Sequence, residues 1–151
     1  MRRAFTETKA GMTSEYIPAA LDDFVRRRAG DRCEYCKLPQ LFQEAVFHVD
    51  HVHPRKRGGK TDANNLALAC VSCSLRKAAR VRVSDNLTGM RVPIFNPRCH
   101  RWSDHYAWER GWRIRGNSPI GRATVDALAM NRPSIVKIRI ELAARGALLP
   151  N

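Results

Sequence analysis

At 151 residues the chain has room for one domain, or one compact domain with extensions, and a second catalytic domain does not fit. Its formal net charge of +13 is unevenly spread: residues 25–101 carry +10, residues 102–151 carry +4 and residues 1–24 carry −1. A basic field concentrated in this way attracts a polyanion, which favours nucleic acid over an acidic small molecule. The start MRRAFTETKAGMTSEY is polar, and no apolar run approaches the roughly 20 residues that span a bilayer, so the expectation is a soluble cytoplasmic protein with no membrane partner.

Residues 1–17 lack hydrophobic periodicity and read as a flexible N-terminal arm. Pro18 suits the opening of a helix with Leu21, Phe24 and Val25 on one face and Gly30 as its stop. Arg26, Arg27 and Arg28 then decorate its last turn, where they complement the helix dipole or reach phosphate. DRCEYCKLP follows as a tight turn, and Phe42–Val52 reads as a strand through Val46, Phe47, Val49 and Val52. On that strand His48 and Asp50 share one face and His51 takes the other.

Pro54 ends the strand, and Arg55–Lys60 form a basic loop in which Gly58 and Gly59 allow close backbone approach to a phosphate. Asn64 and Asn65 lead into a second strand at Leu66–Ala69, and Cys70–Ala79 reads as a helix. Residues 81–101 look irregular. Tyr106, Trp108, Trp112 and Ile114 suggest a hairpin with an apolar face; the tryptophans at 102, 108 and 112 could stack on bases, with core packing expected for most of them. Ser118 and Pro119 cap and open a helix bearing Ile120, Ala123, Ala127 and Leu128. Another helix runs from Pro133 through Ile135, Ile138 and Leu142 to Gly146.

Of the five cysteines, four fall into two CxxC pairs, Cys33/Cys36 and Cys70/Cys73, separated by 33 residues. A CxxC turn curls the backbone so that both thiolates reach one ion, and two such turns make a closed, tetrahedral, structural Zn2+ site. Cys99 is left over and free; with His100 and His105 it lacks a fourth ligand at matching spacing.

Between and within the two pairs stand Asp50-His51, Pro54, Gly58-Gly59, Asn65-Leu66 and Cys70-x-x-Cys73 followed by Lys77. In this order they resemble the HNH endonucleases, the ββα-metal or His-Me finger group, over residues 31–80. The tail segments FNPRCHRWSDHYAW and SPIGRATVDALAMNRP extend a weaker resemblance to small stand-alone bacterial or phage-type HNH proteins. The resemblance implies a general base at His51, an orienting asparagine at Asn65 and a carboxylate at Asp50 that holds one catalytic divalent ion, Mg2+ or Mn2+. His48 could add a ligand or a phosphate contact, or make a structural hydrogen bond. The position after the last cysteine is usually Asn or His in that family and supplies a second metal ligand; here it is Ser74, a poorer ligand.

The expectation is therefore an α+β chain with a ββα-metal core stabilised by the four-cysteine zinc site, preceded by a helix and followed by a hairpin and two helices. Residues 18–101 form the nuclease domain, and residues 102–151 form an extension packed on it. Arg55, Lys56, Arg57, Lys60, Arg76 and Lys77 flank the site as candidate phosphate contacts. The implied activity is hydrolysis of DNA phosphodiester bonds by an activated water, leaving a 5′-phosphate. The alternative is a non-catalytic, zinc-containing nucleic-acid-binding module with a degenerate site.

Overall fold

A computed structural model describes residues 16–148, so the arm expected at 1–17 lies almost wholly outside the described residues. Helix α1, Ala19–Arg28, starts after Pro18, and the chain turns out of it at Gly30 with φ +64°. Val25 is buried, whereas Phe24 is exposed and lies under the Arg28 guanidinium at 5.3 Å. The arginines of the last turn have local work: Arg26 pairs with Asp22 at 2.7 Å, and Arg28 donates to the carbonyls of Ala63 (2.7 Å) and Leu66 (2.6 Å). Arg28 thus ties α1 to the strand that follows the basic loop.

Strand β1, His48–His51, pairs antiparallel with β2, Leu66–Ala69, placing His48 opposite Ala69 and His51 opposite Leu66. Helix α2, Val71–Lys77, completes a ββα unit. The strand expected from Phe42 is shorter because the Gln40 side chain takes over the backbone groups of a loop. Its carbonyl accepts from Phe47 N (2.8 Å) and its amide donates to Ala45 O (3.0 Å), while Phe42 adopts φ +70° and faces solvent with Val46. β2 is buried at all four positions beneath α1 and α2.

The region expected to be irregular holds a hairpin of β3, Arg82–Ser84, and β4, Arg91–Pro93, with buried Val83 opposite buried Val92. Its strands are too short to show alternation in the sequence; the turn chemistry of Asp85 to Gly89, with Gly89 at φ +74°, is the signal that marks it. Asp85 is fully buried and accepts from Arg122 Nε (3.1 Å), Arg122 Nη2 (2.9 Å) and Thr88 Oγ1 (2.8 Å).

The Arg122 hydrogen bonds hold the Asp85 carboxyl well below its ordinary pKa of 3.8. Because the folded value is depressed, the stability it contributes is fully present above about pH 3.8 and is lost as pH falls through the lower folded value. Asp85→Asn should therefore be less stable than the parent at neutral pH, and the gap should close in acid. Urea unfolding of both proteins from neutral pH to about pH 2 checks this; a gap independent of pH would show that the ion pair is not responsible.

Beyond the hairpin come α3, Trp102–His105; β5, Tyr106–Glu109, antiparallel to β6, Arg113–Gly116; α4, Pro119–Ala127; and α5, Pro133–Ala144. Ser118 Oγ accepts from Gly121 N at 3.0 Å, the cap expected for α4. Trp102 stacks on Tyr106 (5.0 Å) and Trp108 (5.6 Å), and Trp108 on Trp112 (5.5 Å), so the three tryptophans pack against one another. Trp102 Nε1 donates to Tyr35 O (2.9 Å) in the first CxxC turn, which joins this aromatic layer to the cysteines. On α5 the inward face is Ile135, Arg139 and Leu142; Ile138, expected there, is partly exposed. Arg139 is accommodated because it donates to Trp112 O (2.7 Å) and Asn131 Oδ1 (3.1 Å) and lies over the Trp108 ring. Among the described residues no helix is long and apolar enough to cross a membrane.

Candidate functional site

The two CxxC turns meet in the core. A tetrahedral ion with Zn–S near 2.3 Å sets its sulfurs about 3.8 Å apart. The Sγ atoms of Cys33, Cys36, Cys70 and Cys73 lie within 4.8 Å of one another, all buried, and Cys36 and Cys70 are 3.8 Å apart. Within each turn an amide is aimed at sulfur: Cys36 N donates to Cys33 Sγ and Cys73 N to Cys70 Sγ, both at 3.4 Å. Such bonds favour thiolate.

Four thiols this close resist joint ionisation. Burial pushes Cys33 up, hydrogen bonding with Cys33 pushes Cys73 up, and hydrogen bonds from Cys33 and Cys36 hold Cys70 far below the ordinary thiol value. A divalent ion would remove that conflict, so the donor set fits zinc in chemistry and spacing. Among the described residues it is the only cluster of this kind. Cys99 is exposed and outside it, while His100 Nδ1 accepts from Asn96 N (2.9 Å) and His105 Nδ1 shares a 2.6 Å bond with Ser118 Oγ.

A cleft of about 330 Å3 opens beside β1 and the end of α2, lined by Asp50, His51, Arg55, Lys56, Ser74 and the short stretch Ala78–Ala79. Strand alternation puts His48 and Asp50 on the same face of β1. His48 Nδ1 shares a 2.8 Å hydrogen bond with Ser74 Oγ, which fixes α2 against that face. His51 Nε2 shares a 2.7 Å bond with Thr61 Oγ1. Thr61 has no counterpart in the sequence reading; a hydroxyl on the loop that returns from β1 to β2 was the available signal.

Asn65 bonds to the loop after β1. Its Oδ1 accepts from His53 N (2.9 Å), and its Nδ2 donates to His53 O (2.9 Å) and Lys60 O (2.8 Å), so it clamps the loop that leaves β1. Gly59 belongs to the same closure: a Cβ there would fall 1.7 Å from His53 O, so its lack of a side chain serves loop packing rather than approach to phosphate.

Of the six expected phosphate contacts, Lys77 departs most. It is 1% exposed, donates from Nζ to His51 O at 3.1 Å, and burial lowers its pKa, so it anchors the end of β1 rather than offering a surface cation. Arg55 donates to Gly59 O (2.9 Å), Arg57 to Ala79 O (3.1 Å) and Arg76 to Ser72 Oγ (3.2 Å), while Lys56 and Lys60 are exposed.

Compared with known proteins, residues 33–80 match the family model described as HNH endonuclease. No curated protein and no solved structure matches the chain. The matched segment begins at the first cysteine of the cluster and ends just beyond α2, spanning the thiols, both strands and the cleft residues. Residues 33–80 are thus similar to an HNH endonuclease domain, which supports the assignment of this segment to that family.

Proposed function

We propose that the chain is a metal-dependent DNA endonuclease or nickase whose chemistry takes place in the cleft of Asp50, His51 and Ser74. The observation that carries this reading is that a carboxylate, an imidazole and a hydroxyl from three positions of the matched segment line one cavity whose rim is Arg55 and Lys56. Asp50 would hold a Mg2+ or Mn2+ ion with help from Ser74, and His48 would steady the Ser74 hydroxyl from behind. One carboxylate and a hydroxyl suit Mg2+, which keeps several of its waters. When bound, such an ion neutralises charge on the phosphoryl and leaving oxygens.

The base is His51. Its Nε2 shares a 2.7 Å hydrogen bond with Thr61 Oγ1 that orients the ring, and the neutral imidazole takes the proton of the attacking water. The water oxygen bonds to phosphorus, the bond from phosphorus to the 3′ oxygen breaks, that oxygen takes a proton from solvent water, and a 5′-phosphate and a 3′-hydroxyl remain. Asn65 and Lys77 act one step back, by fixing the loop after β1 and the His51 carbonyl. Zinc in the four-cysteine site would be structural, holding the first turn against α2.

One observation favours the non-catalytic reading: the Ser74 hydroxyl is already engaged by His48. Plasmid nicking in Mg2+ and in Mn2+ decides between the two. The intact protein should nick supercoiled DNA, and Ser74→Asn should nick at least as fast at a lower metal concentration, since an amide oxygen is the better ligand. Activity that appears only in Ser74→Asn would establish the binding module instead.

A further inference from the structure

We propose that an arginine trough beside the cleft, built by Arg57, Arg80, Arg82 and Arg91, holds backbone phosphates of duplex DNA to one side of the bond being cut. The position of that bond rests on the nuclease reading; the trough itself rests on separate observations. It encloses about 460 Å3 between the 3-10 turn at Arg55–Arg57, the end of α2, the β3–β4 hairpin and α4. Hairpin pairing turns Val83 and Val92 inward, which leaves Arg82 and Arg91 on the exposed face.

Each guanidinium is oriented by backbone carbonyls. Arg57 donates to Ala79 O (3.1 Å), Arg80 to Arg76 O (2.6 Å) and Ala127 O (3.1 Å), Arg82 to Arg91 O (2.8 Å) and Arg91 to Arg82 O (3.3 Å). A carbonyl fixes a guanidinium without neutralising it. Among the described residues none of the four joins an ion pair, and the one carboxylate at the trough, Asp126, accepts from Asn86 at 2.8 Å. The result is four positive charges already ordered, with part of the rotamer entropy of binding removed in advance.

The guanidinium fork matches phosphate oxygens, and no aromatic side chain lines the trough to stack on a base, so it is suited to backbone and not to sequence. Arg57 and Ala79 join it to the cleft: Ala79 lines the cleft, and Arg55 and Lys56 precede Arg57 on the same turn. Arg82 and Arg91 lie beyond the matched segment, which makes the trough an addition by this chain's own hairpin.

The test is the salt dependence of binding to a short DNA duplex, measured by fluorescence anisotropy without added divalent ions so that no turnover intervenes. Each phosphate contact contributes about 0.9 to the slope of log affinity against log salt, so Arg82→Ala/Arg91→Ala should lower it by about 2. Arg91→Gln alone, on the exposed edge, should lower it by about 1 and serves if the double variant loses its zinc or its cooperative melt. An unchanged slope in folded variants would overturn the trough while leaving plasmid nicking, scored separately, to stand or fall alone. A protein that never nicks, yet loses slope in these variants, would keep the trough and lose the nuclease.

Discussion

Cys70→Ala should leave the protein without a cooperative fold: zinc content dropping from one ion per chain to none, near-UV dichroism lost, and the thermal transition abolished or shifted far down. The four thiols come from two distant stretches, two from the turn after α1 and two from the start of α2, and they meet within the buried cluster. Structural zinc contributes about 10–16 kcal/mol of apparent binding free energy, which matches or exceeds the roughly 5–15 kcal/mol by which a whole domain is stable. Removing one ligand also strips the capping acceptor from α2, since Cys70 Sγ receives the Cys73 amide. Cys99→Ala, an exposed position outside the cluster, is the matched control and should leave zinc content and melting unchanged. A Cys70→Ala protein that melts within a few degrees of the parent would mean that the apolar core, not the metal, holds the first turn in place.

The parts of the site that sequence made legible are those whose chemistry depends on local spacing. Two cysteines three positions apart close on one ion whatever surrounds them, and period-2 alternation puts His48 and Asp50 on one face of any strand. The parts that stayed hidden depend on where distant side chains end up. Lys77 reads as a surface cation because lysines usually are, but the last turn of α2 runs under β1 and its ammonium meets the His51 carbonyl. Asn65 reads as the orienting asparagine, and only the fold shows that its amide also complements the paired N–H and C=O of His53 while Thr61 bonds Nε2 of His51. Arg139 breaks the apolar pattern of α5, and only the carbonyl of Trp112 and the amide of Asn131 explain why it can be buried. The β3–β4 hairpin escaped for a different reason: three residues per strand carry no readable period, and the turn between them was the only local clue.

His51→Ala should reduce plasmid nicking by about 10²- to 10⁴-fold, the usual contribution of a positioned base, while zinc content and the salt slope of DNA binding stay near parental values. The His51 side chain lines the cleft and reaches Thr61, whereas the backbone of His51 pairs with Leu66 and its carbonyl accepts from Lys77. Truncating the ring leaves those backbone bonds intact, so the loss should fall on the transition state rather than on folding or on ground-state affinity. Binding without turnover supplies a second readout. The DNA affinity measured without divalent ions should be the same for parent and His51→Ala at matched salt. Asp50→Ala should be as inactive for another reason, loss of the ion, and raising Mn2+ should recover part of its activity but none of that of His51→Ala. Equal nicking by parent and His51→Ala would move the base elsewhere in the cleft.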